Sequence, residues 1–152
     1  MSNDMLKNEL YTKCIYFVNT RLDAVRKTIQ ELQESLSAET KSTAGDKHET
    51  GRAMVQLERE KAGQQLAEIQ KVNQVLAKID MKKSSKIIGL GSVVFTTQAN
   101  YFIAISAGEL KTGNTSFYAI SPNTPIGQIL LGKSAGDAIA FREQVFTITE
   151  VM

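Results

Sequence analysis

"TKSTAGDKHETGRAM", residues 40–54, is a polar stretch between two long runs of regular apolar spacing, and it carries Asp46, Glu49 and the only histidine of the chain. How the chain passes through it decides the fold. Upstream, Tyr11, Ile15, Val18, Leu22, Val25, Ile29, Leu32 and Leu36 step alternately by four and three, the spacing of a coiled-coil seam. Downstream, Val55, Ala62, Leu66, Ile69, Val72 (or Asn73), Leu76 and Ile79 form a second, looser seam. Arms of about 30 residues are helices of roughly 45 Å at ~1.5 Å per residue. Two such helices on a short connection run antiparallel and bury their seams against each other. The spacing therefore predicts a helical hairpin over residues 1–81 with an acidic tip near 40–53. Pairing of an arm with a second molecule would satisfy the same heptads, but the matched lengths favour pairing within one chain, hence a monomer.

Lys83 marks a change of composition. Before and including it stand 14 Lys/Arg and 12 Asp/Glu, against four of each after it, while most glycines and both prolines, Pro122 and Pro125, follow it. Residues 82–85 read as a linker, and 86–152 as a small turn-rich domain. Its β-branched and aromatic runs, 87–97, 101–106, 116–120, 137–141 and 145–151, predict five strands. Between the third and fourth, Thr124 fits an N-cap, Pro125 the first helical position and Gly132 the helix end, which predicts one short helix. The fold class expected is α+β: an N-terminal antiparallel coiled-coil hairpin followed by a small sheet domain.

The totals exclude several classes of function. A net charge of +2 arises from 18 basic and 16 acidic side chains that offset each other, so no one-sign surface points to direct nucleic-acid binding. Cys14 is the one cysteine and lies in an apolar stretch, which makes it a core residue of a reduced, cytoplasmic protein. Residues 1–20 carry Asp4, Glu9 and two lysines without a continuous apolar run, so neither a signal peptide nor a membrane span is expected.

Ordinary active sites are missing from the sequence. His48 has no second histidine, there is no Cys-x-x-Cys, and "GLGS" at 89–92 lacks the Lys-Ser/Thr ending and following helix of a phosphate loop. What remains is "GDKHE", residues 45–49, with Asp46 and Glu49 three apart. At the start of a helix these acids have two readings. Asp-x-x-Glu is a capping-box-like pattern, favoured by the positive end of the helix dipole. Alternatively the two carboxylates are part of a Mg²⁺ site, which two ligands alone hold weakly because this ion keeps its waters until several oxygens converge. Such a site requires a host that completes it.

With these residues in place a resemblance is visible. A hairpin with "GDKHE" at its tip, a linker, and a domain carrying "ISPNTPIGQILLGKSAGD" (120–137) resembles the Gre-type transcript cleavage factors of bacterial RNA polymerase, in organisation over nearly the whole chain. Their tip reads G-D-x-x-E-N-A-E-Y. Ile120, Ser121, Pro125, Ile126, Gly127, Leu130, Leu131, Gly132, Gly136 and Asp137 match their C-terminal pattern at unchanged spacing.

The resemblance implies an FKBP-like C-terminal domain that docks on RNA polymerase, with Ser121, Pro125, Ile126, Gly127, Gly132 and Asp137 as partner-binding positions. It implies that the hairpin enters the secondary channel, where Asp46 and Glu49 share a Mg²⁺ with the polymerase beside the RNA 3′ end of a backtracked complex. The factor then has no cofactor of its own and is not an enzyme; it stimulates the polymerase's own endonuclease. After Glu49, however, Thr50-Gly51-Arg52-Ala53-Met54 replaces the family's third acid and aromatic, and Arg142-Glu143-Gln144 is a short link between the last strands. A regulator that occupies the channel without promoting cleavage is the alternative these departures leave open. A coiled-coil adaptor and a prolyl isomerase are further alternatives. Against the isomerase, fold does not carry activity, and Phe95, Tyr101, Phe102, Phe117, Tyr118, Phe141 and Phe146 stand mostly at strand positions, where core packing is their expected use.

Overall fold

A computed structural model describes residues 3–41 and 46–152, and the side chains of 3–38 and 51–152. Helix α1 spans Asn3–Lys41 and helix α2 Asp46–Ala77, of 39 and 32 residues. The chain divides into two compact units, Val18–Asn73 and the combination of Met1–Phe17 with Gln74–Met152.

Within Val18–Asn73 the seams read from the sequence face inward. Val18 and Ala62 are buried, while Leu22, Val25, Ile29, Leu32, Leu36, Val55, Leu66, Ile69 and Val72 are partly buried. Val72 fills the position shared with Asn73, which is exposed. Arg59 Nη2 donates to Gln33 Oε1 at 3.4 Å, so residues late in α1 meet residues early in α2, as antiparallel arms require. Exposed pairs such as Lys61–Glu58 and Lys71–Glu68, at 3.7 and 3.5 Å, add little to this stability.

In the other unit the same two helices pair at their opposite ends. The Tyr11 hydroxyl donates to the Leu76 carbonyl at 3.0 Å, and Leu10, Cys14, Leu76 and Ile79 are buried. Helix α2 closes with a tighter turn, Lys78 N–H donating to Val75 O and Ile79 N–H to Leu76 O. Ile79 thus lies just past the helix yet stays buried, its Cγ2 only 3.0 Å from where a side chain on Gly91 would begin.

The sheet contains β1 (Val93–Thr96), β2 (Asn100–Ile103), β3 (Gly108–Thr112), β4 (Thr115–Ile120), β5 (Ala138–Phe141) and β6 (Gln144–Val151), with α3 (Pro125–Leu130) between β4 and β5. Their order is β3-β4-β2-β1-β6-β5. The β2–β4 pair is parallel and the others antiparallel. The architecture is α+β, a coiled-coil hairpin plus a small sheet domain, as expected, but with six strands instead of five. The added strand, β3, lies at a sheet edge and alternates Leu110 and Thr112 inward with Glu109 and Lys111 outward, so it lacks the apolar density of the other runs. The two-residue Gly113-Asn114 turn, flanked by the Thr112–Thr115 pair, is the hairpin signal that marks it.

The run expected as a strand over 87–97 is strand only from Val93. Residues 89–92 form a turn in which Ser92 N–H donates to Gly89 O, Gly89 N–H donates to Ser92 Oγ, and Gly91 adopts φ +92°. The core comprises Ile88, Val94, Ile103, Leu130, Ile139, Phe146 and Ile148, with Ile126 and Ile129 of α3 packed against it. Strand alternation sends Val93, Phe102, Phe117 and Ala119 to the opposite side, where they too are buried and Phe95 meets Phe117 edge-on at 5.6 Å. The aromatics considered for a proline pocket are largely used in packing.

Candidate functional site

Asp46 is the first residue of α2 and Glu49 lies in its first turn. Three positions apart on a helix, the two acids belong to neighbouring faces. Their side chains, and those of Lys41, Lys47 and His48, lie outside the described residues, as do residues 42–45. The helix then continues through Gly51, Arg52 and Ala53 without another acid, and Arg52 and Ala53 are exposed. Among the described residues no group of three or more His, Cys, Asp or Glu is placed to hold a metal ion.

Sequence reasoning missed one feature of this arm. Met54 and Leu57, three residues apart, are 65% and 53% exposed. They fall off the seam that passes through Val55 and Ala62, and that mismatch was their signal. A shallow open groove beside α1 is lined by Arg26, Ile29, Gln30, Gln33, Glu34 and Ser37; it mixes charges of both signs and encloses nothing.

The matched positions in the sheet unit form a self-bonded corner around α3. Ser121 O accepts from the Thr124 hydroxyl at 2.8 Å, and Ser121 Oγ accepts from Asn123 N–H at 3.1 Å. The Thr124 hydroxyl oxygen accepts in turn from Gly127 N–H at 3.1 Å, capping α3 as the sequence predicts, with Pro125 in the first helical turn. A side chain on Gly127 would run into the Ser121 carbonyl oxygen and come within 2.8 Å of Thr124 Oγ1. Gly127 is therefore fixed by close approach, and Ile126 by its contact with the core.

Downstream, Gly132 adopts φ +81° and donates to Ile88 O at 2.9 Å, while Ile88 N–H donates to Lys133 O at 2.8 Å. Asp137 Oδ2 accepts from Ser134 N–H at 2.8 Å, closing the turn that leads into β5. The structure brings Ser121, Pro125, Ile126 and Gly127 together at the start of α3, while Gly132 and Asp137 organise the turn after it. Beside the polar Asn123, Gln128 and Lys133, the corner exposes the apolar side chains of Pro125, Leu131 at 38% and Ile87 at 59%, the last held by its bridge to Ser134.

Elsewhere the chemistry is quiet. Burial pushes the Cys14 thiol up to about 12 from its usual 9.0, so near neutral pH it is a buried thiol and a poor nucleophile. Tyr101 is also raised, by burial and then by Tyr118, whose ring lies 6.4 Å away. Among the described residues no helix is long and apolar enough to cross a membrane.

No family model matches the chain, and no curated protein matches it. Among solved structures, that of the transcription factor Gfh1 is similar over 93% of this chain and 92% of its own, at 21% identity and a TM-score of 0.34.

Proposed function

We propose that this chain is a Gre-like elongation factor that binds bacterial RNA polymerase, brings its hairpin junction into the secondary channel and stimulates cleavage of backtracked RNA. The observation that carries the reading is the antiparallel pairing of α1 and α2 around a short junction, with Asp46 and Glu49 in the first turn of the second arm. The C-terminal motif at 120–137 supports it independently.

Two carboxylates suit a shared Mg²⁺ site and are too few to make a complete one. In the complex, Asp46 and Glu49 would supply oxygens beside the polymerase's own ligands, and the chemistry of a metal held there would be stabilisation of the attacking and leaving oxygens of hydrolysis. The chain's own tasks are to carry the acids on stiff helices and to hold them at the RNA 3′ end. The corner formed by Ser121, Pro125, Ile126, Gly127, Gly132 and Asp137 is the docking element of this reading. The protein is then a cytoplasmic monomer without catalysis of its own.

The test is transcript shortening by a purified, backtracked polymerase with Mg²⁺. Wild type accelerates shortening, while Asp46→Ala and Glu49→Ala each remove the stimulation and leave the helical signal in circular dichroism intact. Stimulation by both variants at the wild-type level would reject the role given to the acids.

A second reading, a channel-binding regulator without cleavage stimulation, is favoured by one observation: α2 runs on through Gly51-Arg52-Ala53 with no third acid. Wild type that binds polymerase and leaves shortening unchanged or slower would select it.

A further inference from the structure

Lys7, in the first turns of α1, is a buried lysine, only 5% exposed. Its ammonium donates to the backbone carbonyl of Lys83 at 3.1 Å. One turn along the same face, the Tyr11 hydroxyl donates to the carbonyl of Leu76 at 3.0 Å. Both acceptors belong to the end of α2 and the chain leaving it. The last carbonyls of a helix lack partners within the helix and carry the negative end of its dipole, yet the last turn of α2 contains no basic residue. From α1, Tyr11 adds a donor to the Leu76 carbonyl, which also accepts from Ile79 N–H, and Lys7 supplies one to the Lys83 carbonyl in the chain beyond the helix.

Lys83 is also where local bonding thins out. Asp80 organises the preceding turn, its side-chain Oδ1 accepting from Lys82 N–H at 3.0 Å and its carbonyl from Lys83 N–H at 3.2 Å. Beyond it, Ile87 N–H donates to Ser85 Oγ, and firm attachment resumes at the Ile87–Ser134 bridge, where Ile88 exchanges backbone bonds with Gly132 and Lys133. The groups facing the ammonium are Asp4 on α1 and Asp80 in that turn. Burial lowers the lysine's pKa from its usual value against the pull of both acids. Desolvating an ammonium is costly, and an apolar side chain of similar size would fill the space without that cost. Net stability is therefore a poor account of this lysine, and position is a better one.

We propose that Lys7 is a positioning residue, a latch whose ammonium holds the Lys83 carbonyl and so fixes the path by which the chain leaves α2 toward the sheet. The inference does not depend on the transcriptional reading. It requires only that removing the donor loosens the linker without loosening the fold.

Amide hydrogen exchange on the full chain tests it in wild type, Lys7→Met and Lys7→Arg. In Lys7→Met the amides of Lys82, Lys83 and Ile87 are expected to exchange at least about tenfold faster, a local opening in the sense of sub-global unfolding. The Ile103 amide, bonded to Ser92 O at 2.9 Å in the sheet, keeps its rate, and the Tm stays level or rises. Lys7→Arg retains a cationic donor and returns the linker amides toward wild-type rates. Linker exchange at the wild-type rate in Lys7→Met overturns the latch. So does a Lys7→Met protein that melts early or fails to fold, because Lys7 would then be a stability element. Equal acceleration in Lys7→Arg shows that the donor is not what holds the linker, and also overturns it.

Discussion

In Val18–Asn73 the seam residues Leu22, Val25, Ile29 and Leu32 remain partly open to water, whereas in the other unit Phe102, Ile103 and Leu130 are completely buried. A paired helix gives each seam residue one neighbouring helix to pack against. A sheet with a helix on one face and further side chains on the other surrounds its interior residues. The same apolar side chain therefore contributes less in the arms than in the sheet, since the hydrophobic gain follows the area removed from water. The arm can be altered near its junction at small cost, while the sheet has little tolerance.

The largest effect expected from this contrast is Phe102→Ala, a truncation at a position with no exposure, which should cost about 3–5 kcal/mol in urea or thermal unfolding. Val25→Ala in the arm should cost well under half as much; equal losses would break the distinction.

A second experiment uses pH, because Cys14 belongs to the buried side of the comparison. Its folded pKa is raised to about 12 from 9.0, so between those values the folded state holds the proton more tightly than the unfolded chain. Stability is then fully present below pH 9 and falls as pH rises through the window, by at most about 1.4 kcal/mol per pH unit. Lys7, lowered in the fold, opposes this, since its share of stability increases with pH below its usual 10.5. Cys14→Ala should flatten the alkaline decline, measured as urea midpoint against pH. An unchanged decline would remove the thiol as its cause.

The smallest change sharpens the picture at the corner of α3. Thr124→Ala deletes a hydroxyl that accepts from Gly127 N–H and donates to Ser121 O, and a lost cap of this kind costs about 1 kcal/mol. The arms should show no change in hydrogen exchange.

The arms were legible in the sequence because period is a property of neighbours along the chain: the positions from Tyr11 to Leu36 needed no knowledge of what lies across from them. The cap at Thr124 and the stop at Gly132 were legible for the same reason. The strand β3 was not, since its single buried aliphatic residue, Leu110, draws its place from pairing with Phe117 on β4. Lys7 was hidden too, because nothing in "MLKNEL" (residues 5–10) announces a carbonyl 76 residues away. For Asp46 and Glu49 the spacing conveyed helix position and chemical type; the role proposed for them depends on a partner that no single chain encodes.

Strand β1 lies between β2, its next neighbour in the chain, and β6, its last. Both arms, α1 and α2, are synthesised before any strand of the sheet, and helices can begin to coil from local contacts. Val94 must wait for Val151 to arrive before its second side is closed. Through that interval a nascent chain carries an open, apolar strand edge, the form most liable to capture by other chains. Translation thus delivers the hairpin early and the domain that follows it late.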